Sequence, residues 1–243
     1  MKRLFMGGII LLAMVIFGSG CAGLRTIRGT GDMTAEEREV SDFTAVNLAG
    51  IGNVVVDYGE REGLRIEAEE NLLPYLESTV EGGTLTLGMR EGVNLFPTQG
   101  VFYYLTVREL DEVRVTGLGN IDVPRLEGTQ VEMRISGAGN INVDEVQAKR
   151  LDVILSGLGN LTIDGGEVSN SDIQLKGAGS YNASEMASEV VTVDVAGVGS
   201  AAVWARDSLD ATISGGGSVQ YEGRPQVTEN ITGLGEVKSG GGE

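Results

Sequence analysis

Gly117-Leu118-Gly119-Asn120, Gly137-Ala138-Gly139-Asn140, Gly157-Leu158-Gly159-Asn160, Gly177-Ala178-Gly179-Ser180 and Gly197-Val198-Gly199-Ser200 are five copies of one phrase, spaced 20 residues apart. The phrase returns at Gly215-Gly216-Gly217-Ser218 and Gly233-Leu234-Gly235-Glu236, after steps of 18 residues. An early copy, Gly50-Ile51-Gly52-Asn53, stands apart from the array. A fixed period of this size is the signature of stacked coils.

The residues around the phrase give the coil its shape. Before it, Val115, Ile135, Leu155, Leu175, Val195, Ile213 and Ile231 are apolar, as are Val113, Met133, Val153, Ile173, Val193 and Ala211 two residues earlier. After it come Ile121, Ile141, Leu161, Tyr181, Ala201, Val219 and Val237, then Val123, Val143, Ile163, Ala183, Val203 and Tyr221. Each segment alternates apolar and polar residues, which is the strand period, and no segment sustains a helical one. Each coil reads as two strands around a glycine corner. A single coil cannot bury its apolar face, so the coils must stack at a strand spacing of about 4.8 Å. The expected fold is an all-β, single-domain β-solenoid with 20-residue coils. Right-handed coils are expected, although nothing in the sequence shows the hand.

The glycines suit a corner that needs positive φ or close approach of neighbouring coils. Asn120, Asn140 and Asn160 are expected to stack as an amide ladder, continued by Ser180, Ser200 and Ser218. A phosphate-cradling loop would need a third glycine and a following helix, whereas a strand follows here. A calcium-binding nonapeptide would need an Asp that the corners do not supply.

Met1-Lys2-Arg3 and the apolar run Leu4 to Phe17 read as a secretory signal peptide over residues 1–20. Gly18-Ser19-Gly20-Cys21 resembles a bacterial lipobox, with Gly18 where Leu is usual, and makes Cys21 the expected lipidated N-terminus. The alternative is an ordinary signal sequence cut nearby. Residues 21–42 read as a tether with a possible first strand. Residues 43–239 read as the solenoid, with irregular coils over 43–110 and regular repeats over 111–239, and 240–243 as a flexible end. Within the irregular part, 64–66, 84–87 and 101–107 read as strands and 71–76 as a turn or one helical turn. Gly92 to Gly100 reads as a protruding loop. Glu229 falls where other coils have a core residue, as suits a polar capping coil.

The chain has 18 Lys and Arg against 35 Asp and Glu, a net charge of −17. Loss of residues 1–20 removes two basic residues and gives −19. This disfavours nucleic acid and anionic lipid as partners, so membrane attachment would come through the lipid. The chain has no His, and its single Cys is the lipidation candidate. This removes Ser-His-Asp and Cys-His catalysis, histidine metal sites and a disulfide framework. No cofactor is expected.

Carboxylates remain. Glu112, Glu132, Asp152, Asp172, Thr192 and Asp210 occupy equivalent outward positions and form a largely acidic ladder. Arg114 and Arg134 can compensate the first two rungs. Ile154 and Gln174 cannot do so for Asp152 and Asp172, which makes that pair the candidate position for a divalent cation; otherwise the ladder is a solvated face. The alternative function is a carbohydrate-active enzyme, a glycosidase or lyase working with these acids and with Lys176 or Arg150. Phe96, Phe102, Tyr103 and Tyr104 cluster near the irregular loop, as sugar-stacking rings or as core. Trp204 is expected at the surface of its coil.

Phe43-Thr44-Ala45-Val46-Asn47-Leu48, Gly50-Ile51-Gly52-Asn53-Val54, Glu70-Asn71-Leu72-Leu73-Pro74-Tyr75 and Gly83-Thr84-Leu85-Thr86-Leu87 together resemble the bacterial head GIN domain family of envelope proteins. The Gly-Asn corners at 119–120, 139–140 and 159–160 match the glycine, isoleucine and asparagine of its name. The resemblance covers about residues 35–239 and implies a β-helical domain, export and often a lipoprotein anchor. It implies no catalytic residues. The later corners depart mildly, with Ser or Glu for Asn. The resulting expectation is a non-enzymatic, lipid-anchored envelope protein that presents a repetitive surface to a polysaccharide or a cell-surface protein. An end-to-end oligomerising module is a further possibility.

Overall fold

The computed structural model describes residues 25–240, and the expected signal peptide and Cys21 lie outside them. Nineteen strands run in chain order. The first nine are β1 (Arg25–Arg28), β2 (Met33–Arg38), β3 (Ala45–Leu48), β4 (Ile51–Tyr58), β5 (Gly63–Glu69), β6 (Leu76–Glu81), β7 (Thr84–Met89), β8 (Val93–Phe96) and β9 (Phe102–Val107). The regular array follows as β10 (Glu112–Val115), β11 (Leu118–Ile135), β12 (Ala138–Leu155), β13 (Leu158–Ile163), β14 (Gly166–Leu175), β15 (Ala178–Val195), β16 (Ser200–Ile213), β17 (Ser218–Glu222), β18 (Gln226–Ile231) and β19 (Glu236–Ser239).

The array is a parallel β-solenoid. Asn120, Asn140, Asn160, Ser180, Ser200, Ser218 and Glu236 are not merely equivalent in sequence. Most stand as paired positions on successive rungs, continuing Asn53 of β4. The alternating residues predicted to face inward do so: Val113, Val115, Ile121 and Val123 of the first regular coil are all buried. The coil has more inward positions than two strands supply. Leu126 and Val131 are also buried, and Val131 begins a third column through Leu151, Ser171, Val191 and Leu209 to Val227. The strand period is interrupted before this column, between Leu126 and Val131, and then runs unbroken from Val131 through Met133 to Ile135.

Stacking explains the corner glycines. A Cβ added at Gly139 would land on the carbonyl oxygen of Gly119, far inside contact distance, and one at Gly137 would land on that of Gly117. The coils approach so closely there because each residue between the two glycines donates its amide across the corner. Ala138 N–H bonds Gly117 O at 2.9 Å, and Leu158 N–H bonds Gly137 O at 2.9 Å. Beside the glycines runs the amide ladder. Asn120 Nδ2 donates to Asn53 Oδ1 at 2.7 Å, Asn140 to Asn120 at 2.8 Å and Asn160 to Asn140 at 3.1 Å. Ser180 joins through its backbone N–H to Asn160 Oδ1 at 3.3 Å, and Ser200 Oγ reaches Ser180 Oγ at 3.4 Å.

The early corner belongs to this stack. Gly52 and Asn53 pair with Gly119 and Asn120, although residues 59–110 intervene in the chain. Those residues fold against the other side of the first coil. There β7 pairs with β3 and β9 pairs with β4, both parallel. Antiparallel pairs, β6 with β7 and β5 with β9, close the end. A 3₁₀ turn at Leu73–Tyr75 buries Leu72 and Leu73 against this cap.

Two expectations are corrected here. Residues 92–100 do not form a protruding loop, because β8 within them pairs in parallel with β1. The segment read as a tether with a possible first strand holds two strands and forms a strap over residues 25–38: β1 lies on β8, and β2 pairs antiparallel with β5. The distant, partly antiparallel partners leave no period in the sequence.

Candidate binding face

One side of the solenoid is a broad sheet of β3, β10 and the ends of β11, β12, β14, β15, β16 and β18. Its first column runs Ala45, Glu112, Glu132, Asp152, Asp172, Thr192, Asp210 and Thr228, and all of these but the buried Ala45 face outward. Its second runs Asn47, Arg114, Arg134, Ile154, Gln174, Asp194, Thr212 and Asn230. At strand spacing each column spans about 34 Å. The face is flat because every rung adds residues at the same two pleat positions.

The acidic ladder is charge-paired over its first four rungs. Arg114 pairs with Glu112, and Arg134 Nη2 lies 2.5 Å from Glu132 Oε1. Burial pushes the Glu112 carboxyl above its ordinary range, and Arg114 opposes that shift. Asp152 and Asp172 are directly opposite on neighbouring strands, as predicted, but they are not uncompensated. Arg150 Nη2 is 2.7 Å from Asp152 and 3.5 Å from Asp172. Gln130 Nε2 donates to Asp152 at 2.9 Å and Gln174 Nε2 to Asp172 at 3.4 Å. Arg150 lies two residues before Asp152 in β12, whereas Arg114 and Arg134 lie two residues after the acids they pair with. A search confined to the equivalents of Arg114 therefore misses it. Among the described residues no group of three or more Asp, Glu, Cys or His side chains is placed to hold a metal ion.

The surface aromatics are spoken for. Guanidinium groups lie over five rings: Arg28 over Phe96, Arg65 over Tyr104, Arg90 over Tyr75, Arg125 over Tyr58 and Arg206 over Trp204, with centroid distances of 4.6–6.0 Å. Tyr58 also donates to the Arg125 carbonyl at 2.5 Å, and burial pushes its phenol up to about 12. The predicted aromatic cluster divides. Tyr103 is fully buried, while Phe96 and Tyr104 face solvent beneath their arginines. Trp204 is half-buried at the surface of its coil. Lys176, a candidate for lyase chemistry, instead donates to Gln174 Oε1 at 2.8 Å.

The family model described as "Putative auto-transporter adhesin, head GIN domain" matches residues 42–225. The chain belongs to this family. Its head GIN fold recurs in solved structures. A putative adhesin from Bacteroides fragilis is 21% identical, with a TM-score of 0.83, covering 88% of this chain and 99% of that one. A putative lipid binding protein from Parabacteroides distasonis is 23% identical with a TM-score of 0.70, and a putative adhesin from Parabacteroides merdae is 23% identical with a TM-score of 0.64. Both alignments cover 88% of this chain and 99% of the other. At these identities the likeness establishes the fold. No curated protein matches the chain. The segments that carried the resemblance form the first head GIN coil and its cap: Phe43–Val54 holds β3 and the first corner, and Glu70–Tyr75 holds the 3₁₀ turn.

Proposed function

We propose that this head GIN protein is an exported, non-catalytic adhesin-like lipoprotein, anchored through Cys21, that presents its flat face to an extended glycan or to a protein on a cell surface. The observation that carries the reading is the pair of outward columns from Glu112 and Asn47 to Thr228 and Asn230, in a chain of an adhesin-like family. Such a face offers side chains at the same two positions on each rung. A linear partner can therefore gain affinity from many weak contacts in register. Over the first four rungs the acids are already held by lateral pairs, so little ordering is needed there on binding.

The test is a glycan-array and surface-protein screen of residues 22–243, with and without calcium. Binding that weakens at least about tenfold in Arg134→Ala/Gln174→Ala/Asp194→Ala, with unchanged melting, supports the reading. Binding indifferent to those changes, or release of sugar fragments from a bound polysaccharide, overturns it. Globomycin-sensitive processing and loss of membrane retention in Cys21→Ser test the anchor separately.

A further inference from the structure

The residue between the two corner glycines points out of the solenoid. On successive regular coils it is Leu118, Ala138, Leu158, Ala178, Val198 and Gly216, ending at Leu234. The large members are strongly exposed, from 56% for Leu118 and 61% for Leu158 to 90% for Leu234. They stand in one line, because each donates its amide to the coil before it. The ridge thus alternates large and small, with large side chains two rungs, about 9.6 Å, apart.

Its surroundings differ from the rest of the surface. From 116–120 to 232–236, the five corner positions of each coil are Gly, Ala, Ser, Thr, Asn and aliphatic residues, with Lys176 and Glu236 as the only charges. This is a nearly uncharged band on a chain of net charge −17. Such a chain repels copies of itself nearly everywhere, and this line is where the repulsion is least.

We infer that the ridge docks onto the same ridge of a second copy, antiparallel, with large residues seated over small ones. The alternation makes the line self-complementary under a two-fold axis between the rungs of Leu158 and Ala178. Leu158 then faces Ala178 of the second copy, Val198 faces Ala138, and Leu118 faces Gly216, while Leu234 at the end falls opposite Ile51 of the early corner, which is partly buried against the core. A parallel arrangement in register sets large against large. The pattern therefore selects the two-fold pairing, as an isologous interface requires. The corner lies beside the flat face and not on it, so pairing leaves that face free. A ridge of about 30 Å by about 12 Å buries roughly 350 Å² per copy, below the roughly 800 Å² of a standard interface, so the association is weak and reversible.

The experiment is sedimentation of residues 22–243, which include every described strand, from about 10 μM to 1 mM. Wild type should pass from monomer to dimer across this range, and Leu118→Ser/Leu158→Ser should stay monomeric. Ala138→Leu/Ala178→Leu makes the ridge more apolar but fills the gaps, so it should weaken pairing at least tenfold. All four positions are on the surface, and an unchanged circular dichroism spectrum and melting temperature establish that each variant folds. A wild type that is monomeric at 1 mM overturns the inference. So does stronger association in the gap-filled variant, which would mark a generally adhesive stripe. A third overturning result is binding of that variant to phosphatidylcholine vesicles better than wild type without any dimer, which would assign the ridge to a lipid surface.

Discussion

The carboxylate of Glu69 accepts a hydrogen bond from the backbone amide of Gly31 at 2.7 Å, across 38 residues of sequence. The same buried carboxylate accepts from Thr98 N–H at 2.8 Å and Thr98 Oγ at 2.6 Å. Gly29 packs so close to it that a Cβ there would collide with both carboxylate oxygens. Asn71 fastens the next residues, accepting from Thr30 N–H at 3.1 Å and donating to Arg28 O at 2.8 Å. One acid and one amide therefore buckle the N-terminal strap to the cap.

Glu69→Gln puts an N–H where these donors converge. At pH 8 trypsin should cleave after Arg28 at least about tenfold faster in the variant, because an acceptor to charged hydrogen bonds is lost. Cleavage after Arg61 should be little changed. Equal rates at Arg28 in the two proteins would show that the buckle does not hold the strap.

The same group gives a pH dependence. Burial alone would raise the Glu69 carboxyl, but hydrogen bonds from Thr98, Gly31 and Gln99 outweigh it and hold the group below its ordinary value of 4.5. A depressed carboxyl stabilises the folded state above the unfolded value, and the contribution fades as pH falls below it. Amide exchange in residues 25–38 should therefore be constant above about pH 5, after correction for intrinsic rates, and accelerate below about pH 4.5. The Gln variant should lack this transition.

The corner glycines make a sharper prediction. Gly139→Ala sets a methyl against a backbone carbonyl that two ladders hold in place, so it should cost about 3 kcal/mol. At Gly216 the nearest atom to an added Cβ is 3.6 Å away, and Gly216→Ala should change stability by less than about 0.5 kcal/mol. Urea midpoints of the two variants decide it. Equal costs would mean that glycine is present for chain freedom and not for space.

Arg150 is half-exposed, and its effect should be modest but diagnostic. Arg150→Met leaves Asp152 and Asp172 facing each other, and the melting temperature should fall by a few degrees at low ionic strength. Because the repulsion is between solvated charges, 1 M NaCl should erase most of the difference. A salt-independent loss would trace to packing of the arginine stem instead.

The last coil tests how the solenoid stops. Glu229 occupies the inward register position of Ala211, at the open edge formed by β18. An inward charge on an edge strand discourages further strand pairing. Glu229→Leu should convert the monomer expected at about 10 μM into dimers or larger species on gel filtration. An unchanged elution volume would show that the edge is protected by other means.

What the sequence disclosed follows from what repeats. Gly119, Asn120 and Ile121 recur at one interval, so the corner, the amide ladder and the alternating core could be read without coordinates. The early Gly52-Asn53 corner was legible for the same reason, although its neighbour in space is 67 residues away. The strap was not legible, because β1 and β2 owe their places to single partners at β8 and β5, with no second copy to reveal the rule. The charge balance at Asp152 was misjudged because its arginine, Arg150, stands two residues before the acid in β12, whereas the pattern of Arg114 and Arg134 points only two residues after it.

The register change near Ala183 and Ala187 has an evolutionary consequence. Where the coils shorten from 20 to 18 residues, the register slips by three between Ala183 and Ala187 and recovers one between Ser188 and Val190, a net loss of two away from the glycines, and the corner stack continues undisturbed. A loss of two keeps each residue on its own side of the pleat, whereas a loss of one would turn core residues outward. Descent in such a molecule is granular. Its gene can gain or lose whole coils, or pairs of codons at this slack stretch, and selection will discard nearly every other change of length.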